Sequence, residues 1–461
     1  MTSGGLMQLV AYGAQDVYLT ANPQVTFFKQ IYRRHSNFAM ESLEQAFSGV
    51  ANFGKRVECI ISRSGDLAHR MILEVTLPSV DLNDPSVSDS SGDQFRWLNW
   101  VGHNIINSLE IQIGANKIDK HYGEWLHIWN ELTCPPGKQA GYAEMVGNVP
   151  ELTNIISRVG EEGCRNQFLG GDPHSSAEMR SCTPEYTLYI PLQFWFNRHA
   201  GLAMPLIALQ YSDVKVVVEF NQLQNLIWTN NPSIMDAVNA TGLIGASLFV
   251  DYIYLDTEER RKFSQVPHEY LIEQLQFTGA ESITSASNRI KMNFSHPCKE
   301  IIWVIQRDSF VACDSSVDPW KGQQPFNYSD YWDRAALESG YSISMMEGLA
   351  GWNPTASASI HLNGIPRFAA RQGRYFNTVQ PYFHHTNTPA VGINVYSFAL
   401  FPEDIQPSGT CNFSRIDNSY IEFTATVNTV GGGNTAKIRI YTRNYNVFRA
   451  MSGMGGLAYA N

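Results

Sequence analysis

The sequence predicts an all-β chain of two tandem domains with few, short helices, and three observations carry that prediction. At 461 residues the chain exceeds what one core sustains, since single cores stop growing near roughly 250–300 residues. Strict apolar–polar alternation, the period-2 mark of half-buried strands, recurs along its length. Segments of matching pattern also repeat in the same order in the two halves.

The strands come first. In "RMILEVTL" the side chains Met71, Leu73, Val75 and Leu77 share a face, as do Leu109, Ile111 and Ile113 in "SLEIQIG". Val214, Val216, Val218 and Phe220 do the same in "DVKVVVEF", and Ile438 and Ile440 in "KIRIYT". Between such segments lie stretches rich in Gly, Pro, Ser and Asn, at 132–184, 221–245 and 312–355, too long for hairpins and typical of functional or contact loops. The clearest helix is "IDKHYGEWLHIWNEL", where Tyr122, Trp125, Leu126, Trp129 and Leu132 make one aromatic stripe. Its plainest reading is a helix packed on the end of a barrel rather than a cofactor box.

The repeats set the organisation. "AFSG" at 46–49 and "QFTG" at 276–279 each close a strand-like segment. "SLEIQIGANKIDKHYGEW" and "SIHLNGIPRFAARQGRYF" both run strand, turn, helix, and the segments 194–220 and 397–423 both run aromatic strand, Pro-containing loop, strand. Three echoes in one order indicate a duplicated domain. Sandwiches, jelly rolls and other barrels all fit two such β domains. Long inter-strand loops and helix insertions at matching places favour tandem eight-stranded jelly-roll barrels, which handle exposed edges with two packed sheets. The boundaries expected are an N-terminal arm over 1–36, a first jelly roll over 37–225, a junction carrying its last strand over 226–265, and a second jelly roll with a C-terminal tail over 266–461.

Composition narrows the function. Only 16% of residues are charged against 44% hydrophobic and 12% aromatic, which suits uncharged loops and subunit contacts. A net charge of −10 lacks the positive field of a nucleic-acid binder, and no direct, specific nucleic-acid binding is expected. Seven dispersed cysteines without a CxxC pair read as reduced thiols in a cytosolic setting. The N-terminus is a poor signal peptide, and the best apolar windows are short or, at Asp251, interrupted by charge, so a soluble, non-secreted protein is expected.

Candidate chemical sites are few. "QPSGTCNFSRIDN" gathers Ser408, Cys411 and Asp417 behind a turn, but a nucleophile needs a base and an oxyanion donor that local sequence does not supply. It reads as a loop and strand start: Pro407 and Gly409 set the turn, Asp417 and Asn418 bond nearby backbone, and Cys411 is a small buried filler. A metal inside a barrel would need clustered imidazoles, yet no HxH occurs; His121 and His127 fall on different helix faces, and the adjacent His384 and His385 sit in a polar loop. "GGGN" at 431–434 reads as a hairpin tip. No cofactor, metal or catalytic residue is assigned. Four N-x-S/T sequons, at Asn239, Asn293, Asn327 and Asn412, are glycosylation candidates whose plainer explanation is chance. A competing reading is a tandem β-sandwich that binds carbohydrate or processes glycosides, with the aromatic loop "DPWKGQQPFNYSDYWDR" as platform and Asp330 and Asp333 as its carboxylates.

Five long segments carry a resemblance: "GGLMQLVAYGAQDVYLTANPQVTFFKQIYRRHSNFAMES", "GLAMPLIALQYSDVK", "VDYIYLDTEERRKFSQVPHEYLIEQLQFTG", "YSFALFPEDIQPSGTCNFSRIDN" and "NYNVFRAMSGMGGLAYAN". Together they resemble the major capsid proteins of nucleocytoplasmic large DNA viruses of algal and amoebal type. The resemblance implies a non-enzymatic structural protein of two consecutive jelly rolls. It implies homotrimers of pseudo-hexagonal outline that tile an icosahedral shell, meet neighbouring capsomers, minor capsid and penton proteins, and surround an inner membrane. Assembly in the host cytoplasm goes with it, and the virion is the expected location. In the arm, Phe28, Ile31 and Tyr32 are expected to form the apolar side of an amphipathic turn and Lys29 and Arg33 the basic side, facing inward beneath the capsomer.

Overall fold

The computed structural model describes residues 4–87, 92–158, 181–312, 324–330 and 351–459. Two compact units divide the chain, Met1–Phe38 and Ala39–Asn461. The first unit holds a short helix, α1 (Gly4–Val10), and buries none of its described residues.

The second unit contains sixteen principal strands in two sets of eight. The first set is β1 (Phe38–Ala46), β2 (Arg56–Ile60), β3 (Leu67–Leu77), β4 (Ile106–Ile113), β5 (Asn116–His121), β6 (Tyr186–Pro191), β7 (Val214–Phe220) and β8 (Gly245–Leu255). They form two four-stranded sheets in the orders β1-β8-β3-β6 and β2-β7-β4-β5. The second set is β9 (His268–Ile283), β10 (Ser287–Lys291), β11 (Pro297–Arg307), β12 (Thr355–Leu362), β13 (Ile365–Pro366), β14 (Ile393–Ser397), β15 (Ser419–Ala425) and β16 (Ala436–Met451). Their orders are β9-β16-β11-β14 and β10-β15-β12-β13, so the two sets share one topology. Strands first, eighth, third and sixth in one sheet and second, seventh, fourth and fifth in the other make a jelly roll, and the chain is two jelly rolls in tandem. The three echoes fall on equivalent parts of the two barrels: first strands β1 and β9, hairpins β4-β5 and β12-β13 with the helix after each, and seventh strands β7 and β15.

Alternation builds the first core. Leu73 pairs with Ile190 on one side and Leu248 on the other, all fully buried. Val57, Ile111 and Val216 of the opposing sheet complete one apolar cluster with them. In the second barrel Ile301, Trp303 and Ile305 on β11 meet Ile360 on β12 and Ile421 and Phe423 on β15. The alternate residues of β11, Ile302 and Val304, are equally buried but on the other face. A sheet buried on both faces is therefore present, and what covers its outer face is the first jelly roll.

Two more helices complete the frame: α2 (Gly123–Thr133) follows β5, and α3 (Thr257–Gln265) precedes β9. Asp256 caps α3 by accepting from Glu259 N at 2.9 Å. A last strand, β17 (Met454–Leu457), pairs with β16.

The arm segment carrying Phe28, Lys29, Ile31, Tyr32 and Arg33 turns at Phe27 and Phe28 and then runs on without regular structure as far as β1. One expectation needs correction here. Cys182 is disulfide-bonded, so the cysteines are not all reduced thiols, whereas Cys59, Cys134, Cys298 and Cys411 are free.

Candidate functional site

Helix α2 is a wedge between the barrels. Leu126 points into the first core, while Trp125, Ile128, Trp129 and Leu132 pack on Ile302, Val304, Ile393, Val395 and Tyr441 of the second. The aromatic stripe, expected on a barrel end, is the seam that joins two barrels. The helix spacing puts these side chains on one face, and the residues of β16 that alternate with Ile438 and Ile440 supply the opposite wall.

Those outward residues of β16 are Arg439, Tyr441 and Arg443, and each finds a carboxylate. Glu124 at the start of α2 accepts from Arg439 Nη1 at 2.7 Å, Tyr328 OH at 3.0 Å and Tyr441 OH at 2.5 Å. Burial pushes both tyrosine hydroxyls well up, so they stay protonated and donate. The Arg443 guanidinium lies over the Trp129 indole at 4.0 Å, with Arg198 over the same residue at 5.4 Å.

Behind this stack lies a buried ionic network. Glu273 on β9 meets Lys299 Nζ at 2.6 Å, Arg198 Nη1 at 2.8 Å and Arg443 Nη2. Arg443 Nη1 donates to Glu300 at 2.8 Å, and Glu300 lies 2.9 Å from His385 Nε2. His385 Nδ1 reaches Glu403 at 2.9 Å. Burial works against ionisation of Glu273, but Arg443, Arg198 and Lys299 outweigh it and hold the carboxyl far below the ordinary range. Glu300, likewise buried, is held at about 2 by His385 and Arg443. Burial would lower His385, yet Glu300 and Glu403 raise it to about 9 and keep the imidazolium charged. Lys299 falls to about 8 through burial and the repulsion of Arg443. Charges this deep persist only when paired and hydrogen-bonded.

The network grips two loops. Lys299 Nζ donates to Asp404 O at 3.0 Å, and Arg443 Nη1 donates to Pro402 O at 3.2 Å. Thr386 N donates to Glu403 at 2.8 Å, and His384 Nδ1 lies 3.0 Å from Leu400 O. Ser408 Oγ accepts from Phe401 N at 2.9 Å and donates to Phe401 O at 3.1 Å, so this serine is a loop clasp. Cys411 is half-buried rather than a buried filler and pairs in register with Cys298. Gly409, at φ +136°, turns the chain where a Cβ would lie 2.8 Å from Phe398 O. The side-chain bonds expected of Asp417 and Asn418 come from elsewhere: Asn412 Oδ1 accepts from Ser414 N, and Asn363 Oδ1 from Asn418 N.

Other predicted positions disperse. Asn239, Asn293 and Asn412 are exposed, whereas Asn327 is half-buried, accepting from Ser329 N and donating to Gln324. Phe28, Ile31 and Tyr32 are 97%, 74% and 84% exposed. His121 pairs with Asp119 at 3.0 Å. His127 stacks on Phe326 at 4.3 Å, 5.7 Å from the ring of His103. Burial pushes His103 down to about 3 and His127 well down, so both are neutral. Asp330 is buried, accepting from Trp352 N and Thr426 Oγ1, which commits its carboxylate to structure; Asp333 lies outside the described residues. Among the described residues no three His, Cys, Asp or Glu side chains gather as a metal site, and no helix is long and apolar enough to cross a membrane.

Comparison with known proteins now decides the family. Residues 26–256 match the family described as major capsid protein N-terminus, and residues 259–456 match the large eukaryotic DNA virus major capsid protein. The chain belongs to the major capsid proteins of large eukaryotic DNA viruses. It is 47% identical to the major capsid protein of Phaeocystis pouchetii virus, with 100% of each chain covered. It is 39% identical to that of Paramecium bursaria Chlorella virus 1, again with 100% of each covered. A solved structure described as the PBCV-1 virus capsid, quasi-atomic model, superposes with a TM-score of 0.70 at 33% identity, covering 95% of this chain and 100% of that one. This capsid protein is structural and not an enzyme, and its place is the virion capsid. The buried ionic network left one trace in the sequence, the two adjacent charges Lys299 and Glu300 beside the apolar run of "CKEIIWVIQR".

Proposed function

We propose that the capsid protein assembles as a homotrimer of pseudo-hexagonal outline and that such capsomers tile an icosahedral shell. One observation carries the reading: two barrels of one topology are locked side by side by α2 and the ionic network. Three such chains present six similar barrels without needing six subunits. Subunit contacts would fall in the obligate class of roughly 2,000–5,000 Å², with weaker contacts between capsomers that let misplaced units leave. Assembly takes place in the host cytoplasm, together with minor capsid and penton proteins.

The arm, residues 1–36, faces the shell interior in this reading. Its exposed Phe28, Ile31 and Tyr32 beside Lys29 and Arg33 suit a minor capsid protein or the surface of an inner membrane. Light scattering with negative-stain imaging tests the capsomer. A species of three times the 51.7 kDa chain mass with a six-lobed outline supports it, and a stable monomer at every concentration rejects it. Deleting residues 1–36 should spare trimers and impair shell assembly, and normal shells from the deletion would dismiss the arm's role.

A further inference from the structure

Two loops held by the network present an unusual surface. The short helix Gln380–His384 exposes Tyr382 at 74% and Phe383 at 67%, preceded by Val379, and the neighbouring loop exposes Leu400 at 65% and Phe401 at 57%. The rings of Tyr382 and Phe383 contact edge to face at 5.2 Å. The His384–Leu400 contact at 3.0 Å brings the two loops together. Exposed apolar side chains usually ride on mobile loops, but here Glu403, Pro402 and Asp404 are anchored to His385, Arg443 and Lys299. The surface is preformed, and ordering it on contact costs little.

We propose that this patch is buried against a second copy of the chain inside the capsomer; the inference rests on the reading of the protein as a self-assembling subunit. The sequence supports a protein partner. From Tyr375 to Pro402 there is no Asp, Glu, Lys or Arg, in a chain where 16% of residues are charged. Depletion of charge with enrichment in aromatics marks the centre of a protein interface. Arg374 borders the stretch on one side and Glu403 and Asp404 on the other, so no cluster of cations is offered to an anionic lipid surface or nucleic acid. The area fits as well. Three aromatic and two aliphatic side chains at these exposures offer roughly 500 Å², at the upper end for a monomer's largest apolar patch. A standard interface takes about 800 Å² from each partner, so the patch supplies the apolar centre and the uncharged stretch around it the remainder.

The test uses the full chain. The double variants Y382S/F383S and L400S/F401S change only exposed side chains, so each should keep the parent far-UV circular dichroism. Light scattering is expected to show the parent as a trimer and each variant shifted to monomer at the same concentration. Hydroxyl-radical labelling of the parent supplies a readout that no folding defect can confuse. Tyr382 and Phe383 should be oxidised at least tenfold more slowly in the trimer than in the guanidine-unfolded chain. A trimeric parent whose variants stay trimeric, or whose Tyr382 and Phe383 label as fast as in the unfolded chain, overturns the inference and leaves the capsomer standing. A parent that stays monomeric overturns the capsomer reading itself, and the inference with it.

Discussion

Arg443 on β16 lays its guanidinium over the indole of Trp129 on α2 at 4.0 Å, and this contact ties the last long strand of the second jelly roll to the helix of the first. The same guanidinium bonds Glu273 and Glu300, so one side chain joins the aromatic seam to the ionic network. Two barrels coupled through such a residue should unfold together.

Replacing Trp129 tests the coupling. Trp129→Ala removes a side chain packed between the barrels and strips the stacking partner from Arg443 and Arg198, at an expected cost of about 3–5 kcal/mol. Trp129→Phe keeps a ring and should cost about 1–2 kcal/mol. Calorimetry should resolve two transitions in Trp129→Ala where the parent shows one. A single transition at an unchanged temperature would show that the seam does not couple the barrels.

The carboxylate of Glu273 faces three cations, and taking its charge away strands them. Glu273→Gln should destabilise the chain by about 3–5 kcal/mol, because desolvated charge is left without its counter-charge. Adding Lys299→Met removes one stranded cation and should recover part of the loss, which additive independent sites would not do. Urea titration of the two single variants and the double variant measures this directly.

The strand faces were open to sequence reading because period-2 burial depends only on the local pattern: Met71, Leu73, Val75 and Leu77 all lie inward. The aromatic stripe of α2 was also readable, but its partner was not, since Ile302 and Val304 come from a strand some 170 residues away by position in the chain. His385 was harder still. Beside His384 in a polar stretch it looks like surface, and only the fold brings Glu300 and Glu403 to its two nitrogens. Long-range electrostatics leaves little local trace, whereas amphipathic burial writes itself into every second residue.

His385 sets the alkaline side of the stability profile. Its pKa rises from an ordinary 6.5 to about 9 on folding, so its contribution is complete below pH 6.5 and is lost as pH climbs through about 9. At about 1.4 kcal/mol per pH unit the full loss is about 3 kcal/mol. Lys299 acts in the opposite sense: its folded pKa of about 8 lies below the ordinary 10.5, so folding gains from its deprotonation between those values. The clean window is therefore pH 6.5–8, where stability should fall in the parent and stay nearly flat in His385→Gln. Parallel slopes for the two proteins would remove His385 from the account.

His103 and His127 set the acid side. Their rings stand 5.7 Å apart, between Trp100, Tyr142 and Phe326, with Phe326 coming from the second jelly roll. Both fold with pKa values far below 6.5, His103 at about 3, so below pH 6.5 the unfolded chain takes up protons that the folded chain refuses. Stability then falls with falling pH, by about 2 kcal/mol at pH 5 for His103 alone, and His127 adds to the loss. Glu273 and Glu300 add to the loss only below their ordinary 4.5, where protonation starts to favour the unfolded chain. From pH 6.5 to 4.5 the imidazoles are opposed by Glu131 on α2, whose carboxyl burial pushes up, so that its proton uptake in the folded chain stabilises as pH falls. His127→Phe keeps an aromatic ring against Phe326 and should reduce the acid slope, and adding His103→Phe should remove the rest of the acid loss in that interval. Since these rings pack at the seam, the cost of acid falls on the junction between barrels, and hydrogen-exchange protection, measured against the intrinsic rate at pH 5, should fall first in α2 and β16. A uniform loss of protection across both barrels, with an unchanged slope in the variants, would place acid sensitivity elsewhere.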